Sequence, residues 1–437
     1  MKPLQLITIL LFTTAAFTQC TNQPAKNETV NGNLQQQCVH RLTDVIVYDI
    51  FTPPVASRIY AYCNLAYYEA LRMKDSGSIS ITKQLRGFDA MPVPAPGKNY
   101  DHTLAAVHAF FNTARALTFS KDSLTQTEDE LLAAFKQNMP GDVYENSLLL
   151  GEQTAAVILK RAASDHYKET RGMPRYSVFK VKGQWEQTPP DYADAVEPNW
   201  RLLKPLRIDS AAAFAPAPPP AYSLDKNSVY YKELMEVFNT SKNITPVMDT
   251  IAHYWDDNPF VTEHRGHLMF ATKKTTPGGH WMGIIAILCG QAKSGELQKA
   301  KIYALTSCAI FDAFISCWDE KYRSKMVRPI TVIRENIEPE WNSFLQTPPF
   351  PEYTSGHSVI TAAASTVLTH MIGDNTAFTD TTEMEYLGMK RHFSSINQAA
   401  DEAGISRLYG GIHFRSAIEE GKKQGHHIGE LYNLVFK

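Results

Sequence analysis

The chain has 437 residues, with 43 Lys and Arg against 45 Asp and Glu, and therefore a formal net charge of −2. Nucleic-acid-binding proteins usually carry a strong basic excess, so this balance argues against a nucleic-acid partner. Hydrophobic residues make up 44% of the chain and charged residues 20%. This composition excludes a disordered protein and predicts a folded globular one.

The first twenty residues have the pattern of an export signal. Lys2 provides the positive start, and the apolar run 4–17 is too short for a stable membrane anchor. Cys20 stands where a lipoprotein signal would be cut and lipidated, although Phe17-Thr18-Gln19 fits that cleavage poorly. Residues 1–20 are thus predicted to be a signal peptide, with either a lipid anchor at Cys20 or ordinary cleavage. The expected locations are the periplasm, the outer membrane or the exterior.

Residues 21–37 are polar and rich in Asn and Gln, which is typical of a flexible tether. Export makes a disulfide between Cys38 and Cys63 possible. The alternative is that the cysteines are buried free thiols, as we expect for Cys289, Cys308 and Cys317 in apolar helical runs.

Apolar residues recur at three- and four-residue intervals along most of the remaining chain, which predicts helices. The predicted helices cover 55–72, 102–117, 143–163, 242–255, 281–289, 296–320, 358–370, 383–399 and 414–435. Only 176–181 alternates like a strand, and it opens a Pro- and Trp-rich excursion that ends near Pro220. We therefore predict the all-α class: a large helical bundle with an N-terminal half, 38–240, and a C-terminal half, 241–437.

Two cations occur near the predicted end of one helix. Lys321 and Arg328 are seven residues apart, so they would return to the same helix face after two turns. Pro329 disfavours helical geometry at Arg328, and we expect the helix to end there. The pair would bind an oxyanion, or would merely complement the helix dipole.

A second motif, Ser355-Gly356-His357, precedes a predicted helix. It would offer an anion a hydroxyl, backbone N–H groups and the positive end of the helix dipole, with His357 in the first turn. The alternative is a simple Ser N-cap followed by an incidental histidine.

The third motif contains Arg407, a pair of glycines and His413 before the last helix. Arg407 provides a planar donor fork. Together the three motifs supply five donors for a tetrahedral oxyanion and two imidazoles beside it.

The order Lys-x6-Arg-Pro, Ser-Gly-His and Ser-Arg-x5-His resembles the signature shared by vanadium-dependent haloperoxidases and type 2 phosphatidic acid phosphatases. The segments Trp255 to Pro259 and Pro348 to Tyr353 are similar to the haloperoxidase branch. Within that branch the chain resembles exported bacterial enzymes that oxidise iodide or bromide. The resemblance implies hydrogen peroxide and a halide as substrates, and it allows an organic halogen acceptor. Independently of it, a large helical bundle is compatible with a homodimer.

The resemblance also implies a role for each motif residue. His413 would be the protein ligand of vanadium, His357 the acid/base for hydrogen peroxide, and Lys321 would polarise the bound peroxide. Phosphate could occupy the same position as vanadate. Five groups would hydrogen-bond to the vanadate oxygens: Lys321, Arg328, Ser355, the Gly356 amide and Arg407. Trp318 and Phe350 would form the wall of a halide pocket or, alternatively, ordinary core packing.

Two positions depart from the family pattern. Thr354 replaces a proline, and Ala417 replaces the acid that orients the last histidine of the signature. Glu420 or Asp312 would have to take over that role. Because loss of the acid would harm a nucleophilic histidine more than a metal ligand, Ala417 favours the haloperoxidase.

Two other functions stay open at this point. One is an exported acid phosphatase with a phosphohistidine intermediate at His413, and the other is a non-catalytic oxyanion-binding lipoprotein. The pairs His264/His267 and His426/His427 lack a third ligand at recognisable spacing and are set aside. Asp256-Asp257 is interpreted as a solvated pair at a helix end, and His280 as a residue that opens a helix.

Overall fold

Most of the ordered chain is α-helical, as its periodicity predicts. A computed structural model describes residues 33–259, 261–265 and 268–435. The signal peptide predicted at 1–20, with Cys20, and most of the predicted tether lie outside these residues. Fifteen helices are described: α1 Leu34–Tyr48, α2 Pro53–Leu71, α3 His102–Leu117, α4 Asp122–Gln137, α5 Gly141–Ala163, α6 Tyr167–Arg171, α7 Val229–Lys242, α8 Pro246–Tyr254, α9 Pro277–Gln291, α10 Glu296–Ser324, α11 Pro329–Asn336, α12 Gly356–Ile372, α13 Met384–Leu387, α14 Ile396–Tyr409 and α15 Arg415–Asn433.

Four short strands accompany the helices. β1 (Val261–Arg265) pairs antiparallel with β2 (Leu268–Thr272), and β3 (Phe378–Asp380) pairs antiparallel with β4 (Arg391–Phe393). Because these strands contribute so few residues, the prediction of the all-α class is confirmed.

Eight of the nine predicted helices are present, with ends that differ by a few residues. The ninth, 383–399, is wrong: this segment holds α13, β4 and only the start of α14, because Gly388 at a positive φ ends α13 after one turn. The strand predicted at 176–181 is also wrong, since this segment forms no regular structure. α1 begins at Leu34, so the last four residues of the predicted tether are helical.

Three helices form the centre of the molecule. Nearly all residues of α2 are buried, α10 is buried from Ile302 to Tyr322, and α12 is buried along most of its length. α10 is long and apolar enough to cross a membrane, but 94% of its most apolar window is buried inside the protein. It is therefore the core helix against which α2 and α12 pack. One apolar core connects helices of both halves of the sequence.

The boundary predicted at 240/241 falls inside α7. The apolar side of α7, with Tyr230, Leu234 and Val237, packs against residues around α11 and the start of α15. α7 begins before the predicted boundary but belongs to the same apolar core as α11 and the start of α15.

The Pro- and Trp-rich excursion lies against the helices, as its aromatic content indicates. Trp185 and Trp200 are buried, whereas Tyr192 is exposed. Asp312 on α10 fixes the excursion by accepting hydrogen bonds from three consecutive backbone amides, 206–208, at 2.7–3.0 Å. Because Asp312 has this structural role, it does not serve as the partner of His413.

The five described cysteines are buried free thiols. Cys38 and Cys63 lie on α1 and α2 in the central core, and burial raises the pKa of the Cys63 thiol well above its usual value. The disulfide considered for this pair is therefore not formed, and both residues pack as small apolar groups.

α15 approaches α12 very closely through glycines at four-residue intervals. A Cβ atom added to Gly425 would lie 2.2 Å from the Val359 carbonyl oxygen, and one added to Gly429 would lie 2.6 Å from the Thr366 Cβ. This contact sets the distance between the start of α12, with Ser355, and the start of α15, with His413.

We predict that Gly425→Ala lowers the free energy of unfolding by about 2–3 kcal/mol, because the new methyl group collides with backbone and overpacks the helix contact. Gly290→Ala is the matched control, since a Cβ there meets no atom within 4 Å. The control should be neutral or stabilising by up to about 1 kcal/mol. Equal effects of the two substitutions in urea unfolding would contradict the close-contact interpretation.

Candidate active site

The second and third sequence motifs line one cavity of about 420 Å³. Lys321 and Arg328 of the first motif are not lining residues but lie directly behind two of them, Phe350 and His413. Lys321 lies in the last turn of α10, and Ser355 is the N-cap residue of α12. Arg407 lies in the last turn of α14, and His413 stands just before α15. The expectation that one helix carries both Lys321 and Arg328 is wrong: α10 ends at Ser324, and Arg328 is the N-cap residue of α11.

The cavity wall comes from both halves of the sequence. Its lining includes Gly356, His357, Arg407 and His413 from the second half. The first half contributes Thr52, Pro53 and residues between Thr188 and Val196 of the excursion. The residues predicted to bind an oxyanion all lie in 241–437, but the cavity is not confined to that half.

His413 is held in one tautomer by two neighbours. Its Nδ1 lies 2.7 Å from Glu352 Oε1, and its Nε2 lies 3.2 Å from Arg328 Nη1. A guanidinium can only donate, so Nε2 must be the acceptor and the ring proton must be on Nδ1. Nε2 is thus the unprotonated nitrogen of His413, and its lone pair accepts from Arg328 where no other ligand takes it.

The electrostatics around His413 keep its ring neutral. Burial, together with the charges of Arg328 and Lys321, holds the pKa of His413 well below its usual value. Burial also raises the pKa of Glu352 to about 7. A neutral imidazole that donates Nδ1–H to a carboxylate is the arrangement in which Nε2 coordinates metals well.

Glu352, which the sequence analysis missed, is the acid that orients His413. It also accepts a hydrogen bond from the Phe414 amide at 2.9 Å. Neither predicted substitute does this: Asp312 holds the excursion, and Glu420 pairs with Lys423. Ala417 therefore does not deprive His413 of its partner. The only sequence signal was the position of Glu352, three residues before Ser355 in the same motif.

Arg328 is buried and donates mostly to backbone carbonyls. Its Nε donates to Phe350 O at 2.9 Å and its Nη1 to Ile412 O at 2.8 Å. Its Nη2 is buried and has no hydrogen-bond partner in the described chain. A buried charged donor without a partner is costly, so Nη2 is a donor available to a bound anion.

Lys321 is also fully buried. Its Nζ donates to the carbonyls of Pro351, Glu352 and Thr354 at 3.1, 3.0 and 2.5 Å. These contacts use all three ammonium protons, so in this arrangement Lys321 contributes positive charge to the site. Burial lowers the pKa of Lys321 to about 8.

The start of α12 provides further donors. The Ser355 hydroxyl oxygen accepts a long 3.4 Å hydrogen bond from the Ser358 amide, which leaves its own proton free to donate. The Gly356 amide is in the first turn, where helical N–H groups have no helical partner. Arg407 donates through Nε and Nη2 to Ser406 Oγ and to the Trp255 carbonyl, at 2.9 and 2.5 Å.

Thr354, which replaces the family's proline, has a function that a proline lacks. Its hydroxyl donates to Gln424 Oε1 on α15 at 2.8 Å, and its carbonyl accepts from Lys321. The substitution therefore connects the motif to α15.

His357 faces the cavity beside a carboxylate. Its Nε2 lies 3.6 Å from Asp257 Oδ2, and burial together with Arg407 lowers its pKa. The interpretation of Asp256-Asp257 as a solvated pair is wrong: both are buried, Asp256 pairs with Lys274 at 2.8 Å, and Asp257 pairs with His280 at 2.9 Å.

Trp318 and Phe350 form an aromatic wall of the cavity. Their ring centroids are 5.0 Å apart, and the Lys321 Nζ lies 5.0 Å from the Phe350 centroid. The Trp318 indole N–H donates to the Val196 carbonyl at 3.1 Å, so the excursion fixes this wall.

Of the histidine pairs set aside, His426 accepts from or donates to Thr366 Oγ1 at 2.7 Å on the surface. His264 lies on β1, and His267 lies outside the described residues.

Comparison with known proteins agrees with this site. The family model of the VCPO second helical-bundle domain matches residues 301–340 and 335–436. The structure of the first bacterial vanadium-dependent iodoperoxidase is 44% identical over 92% of this chain and 96% of that chain, with a TM-score of 0.88. The chain therefore belongs to the vanadium-dependent haloperoxidases. No curated protein sequence matches it significantly.

Two further structures share the fold. The holo-type bacterial vanadium-dependent chloroperoxidase is 18% identical, with coverage of 88% and 92% and a TM-score of 0.68. The apo-type form is 17% identical, with coverage of 89% and 95% and a TM-score of 0.67.

We predict that Glu352→Leu weakens orthovanadate binding about 10- to 100-fold, because His413 loses the group that fixes its tautomer. Glu352→Gln keeps an acceptor for Nδ1–H and should weaken binding less. Titration of orthovanadate followed by ⁵¹V NMR would measure both. Glu420→Gln is the control and should bind as the unmodified protein does; a loss as large as that of Glu352→Leu would contradict the assignment.

Proposed function

We propose that the protein oxidises iodide or bromide with hydrogen peroxide, using vanadate held at His413. One observation carries the proposal: a neutral His413 presents its Nε2 lone pair to a pocket of buried cations. The membership of the chain in the haloperoxidases and its 44% identity to an iodoperoxidase support the halide chemistry. In the overall reaction a halide ion, hydrogen peroxide and one proton give hypohalous acid and water. The halide loses two electrons to the peroxide and bonds to one of its oxygens as the O–O bond breaks.

The donors of the site fit a tetrahedral oxyanion. The free Arg328 Nη2, the Ser355 hydroxyl, the Gly356 amide and Arg407 would bind the oxygens of vanadate, Lys321 would add charge, and His413 Nε2 would be the metal ligand. Bound vanadate would supply a Lewis acid that activates hydrogen peroxide without changing its own oxidation state. Phosphate has the same shape and charge and would bind to the same groups.

His357 is the acid/base of the proposal. Its lowered pKa leaves the ring neutral near pH 7, and Nε2 has no hydrogen-bond partner in the described structure. The neutral ring would therefore take a proton from hydrogen peroxide as it enters the cavity and return it to a leaving oxygen, while Asp257 faces Nε2.

The aromatic wall is the proposed halide site. Trp318 and Phe350 exclude water next to the charge of Lys321, which favours a weakly hydrated anion such as iodide. The outer cavity is lined by the proline pairs 189–190 and 348–349 and has room for a small organic acceptor of the halogen.

The structure removes one argument against the acid phosphatase alternative. Ala417 no longer separates the two functions, because Glu352 supplies the partner of His413. The same neutral imidazole is also able to attack a phosphate ester, so an assay of both activities is needed to distinguish the haloperoxidase from the phosphatase. The non-catalytic alternative would gain weight if Ala417 disabled the site, and Glu352 removes that support.

Export, lipid attachment at Cys20 and a homodimer belong to the proposal as well. Their support is the pattern of the first twenty residues for the first two, and the large helical bundle for the third.

We predict that the purified protein, incubated with orthovanadate, hydrogen peroxide and iodide, produces triiodide at a rate that His413→Ala reduces to the protein-free background. The reason is that the substitution removes the metal ligand. His427→Ala, at an exposed histidine on α15, is the matched control and should keep full activity. Release of phosphate from a nitrophenyl ester without any oxidation of halide would overturn the proposal.

For the halide site, Phe350→Ala should raise the KM for iodide several-fold while leaving phosphate affinity unchanged, because water enters beside Lys321 but the oxyanion donors stay in place. Phe179→Ala, at an exposed ring, controls for loss of an aromatic side chain. An equal loss of phosphate affinity in the Phe350 variant would show that the ring supports the whole pocket instead.

A further inference from the structure

A chain of buried charged side chains extends away from the cavity behind His357. It consists of Asp257, His280 on α9, Asp380 on β3 and Glu383 before α13. All four are buried, and the last three have no part in the proposed function. Buried ionisable groups require partners, so the contacts among these four side chains show which of them are charged.

Both ring nitrogens of His280 contact carboxylates. Nδ1 lies 2.9 Å from Asp257 Oδ1, and Nε2 lies 2.8 Å from Asp380 Oδ2. Ionised carboxylates only accept hydrogen bonds, so each nitrogen must carry a proton and the ring is an imidazolium. Burial alone would lower the pKa of His280, but the two carboxylates raise it well above its usual value.

The ring of His280 is fixed by its surroundings as well. It stacks on Trp255 with ring centroids 4.5 Å apart and an interplanar angle of 19°, and Tyr254 meets it edge-on at 5.6 Å. A cation on an aromatic face gains further stabilisation. His280 is therefore a rigid positive charge in the interior.

Asp257 lies between this charge and His357. Its Oδ1 contacts His280, whereas its Oδ2 points to His357 Nε2 at 3.6 Å and has no hydrogen-bond partner in the described chain. Burial would raise the pKa of Asp257, but His280 and then His357 lower it. Asp257 is thus ionised, with one oxygen on the imidazolium of His280 and the other facing His357.

We infer that His280 is a positioning residue for the acid/base: it orients Asp257 and offsets its negative charge, so that Asp257 does not keep His357 protonated. The inference rests on the proposed role of His357. Asp380 keeps His280 charged, and Glu383, whose Oε1 lies 3.5 Å from His280 Nδ1, is the third carboxyl group beside the ring.

The other charges near the two histidines act in defined directions. Next to His280, burial raises the pKa of Glu383 to about 8, so this carboxyl is neutral near pH 7 and leaves the imidazolium paired with Asp257 and Asp380. Next to His357, Arg407 lowers its pKa and Asp256 raises it. Removing the charge of His280 alone leaves Asp257 unopposed, and this raises the pKa of His357.

The test is the titration of His357 in protein free of vanadate and phosphate, followed by NMR of ¹³C-labelled histidine and assigned with His357→Gln. His280→Gln should raise the pKa of His357 by about one unit, since it deletes a charge a few ångströms behind Asp257. Asp257→Asn should lower it, since it deletes the negative charge. If His280 only stabilised the fold, the two substitutions would not shift the pKa of His357 in opposite directions. His392→Gln, at an exposed histidine, is the matched control and should change nothing.

Asp380→Asn provides a second variant in case His280→Gln does not fold. It keeps the Asp257 contact but removes the partner that keeps His280 charged, so the shift should have the same sign and be smaller. An unchanged pKa of His357 in folded Asp380→Asn and His280→Gln would overturn the inference.

One equivalent of a divalent metal in the purified protein, lost on His280→Gln, would also overturn it, because a metal would then occupy the ring nitrogen between Asp257 and Glu383. The titration needs neither vanadate nor halide. A protein without haloperoxidase activity but with these pKa shifts would refute the proposed function alone.

Discussion

The burial of three cations that form no ion pair with a carboxylate of the described chain is the constraint on which the site depends. Lys321, Arg328 and Arg407 are almost inaccessible to water, and their hydrogen bonds go to backbone carbonyls, the Ser406 hydroxyl and His413 Nε2. Burying unpaired charge costs several kcal/mol per ion. The surrounding helices must therefore hold these groups rigidly, and a bound oxyanion offsets the cost by supplying the missing negative charge.

This excess of positive charge also determines the state of the histidine. Because the cations lower the pKa of His413, its ring stays neutral, and because Arg328 can only donate, the proton is confined to Nδ1. Glu352 completes the arrangement by accepting that proton's hydrogen bond. The same pocket thus attracts an oxyanion and presents a lone pair to it.

Sequence periodicity predicted the helical class and most helices, because a helix such as α2 or α10 shows its apolar pattern within a few turns. It failed around α13 and β4, where one-turn elements are decided by contacts with the rest of the fold. The motifs likewise predicted residues that the fold brings together at one cavity.

The partners of those donors could not be read from local spacing. Glu352 reaches His413 across 61 residues, and Asp380 reaches His280 across 100. The fourth residue after His413, where the family pattern has an acid, is Ala417.

The most direct test of the account is the tautomer of His413, observed by long-range ¹H–¹⁵N NMR in protein without vanadate at neutral pH. The account predicts a neutral ring with its proton on Nδ1 and a bare Nε2, whose resonance shifts when one equivalent of orthovanadate binds. A charged ring, or a proton on Nε2, would contradict it.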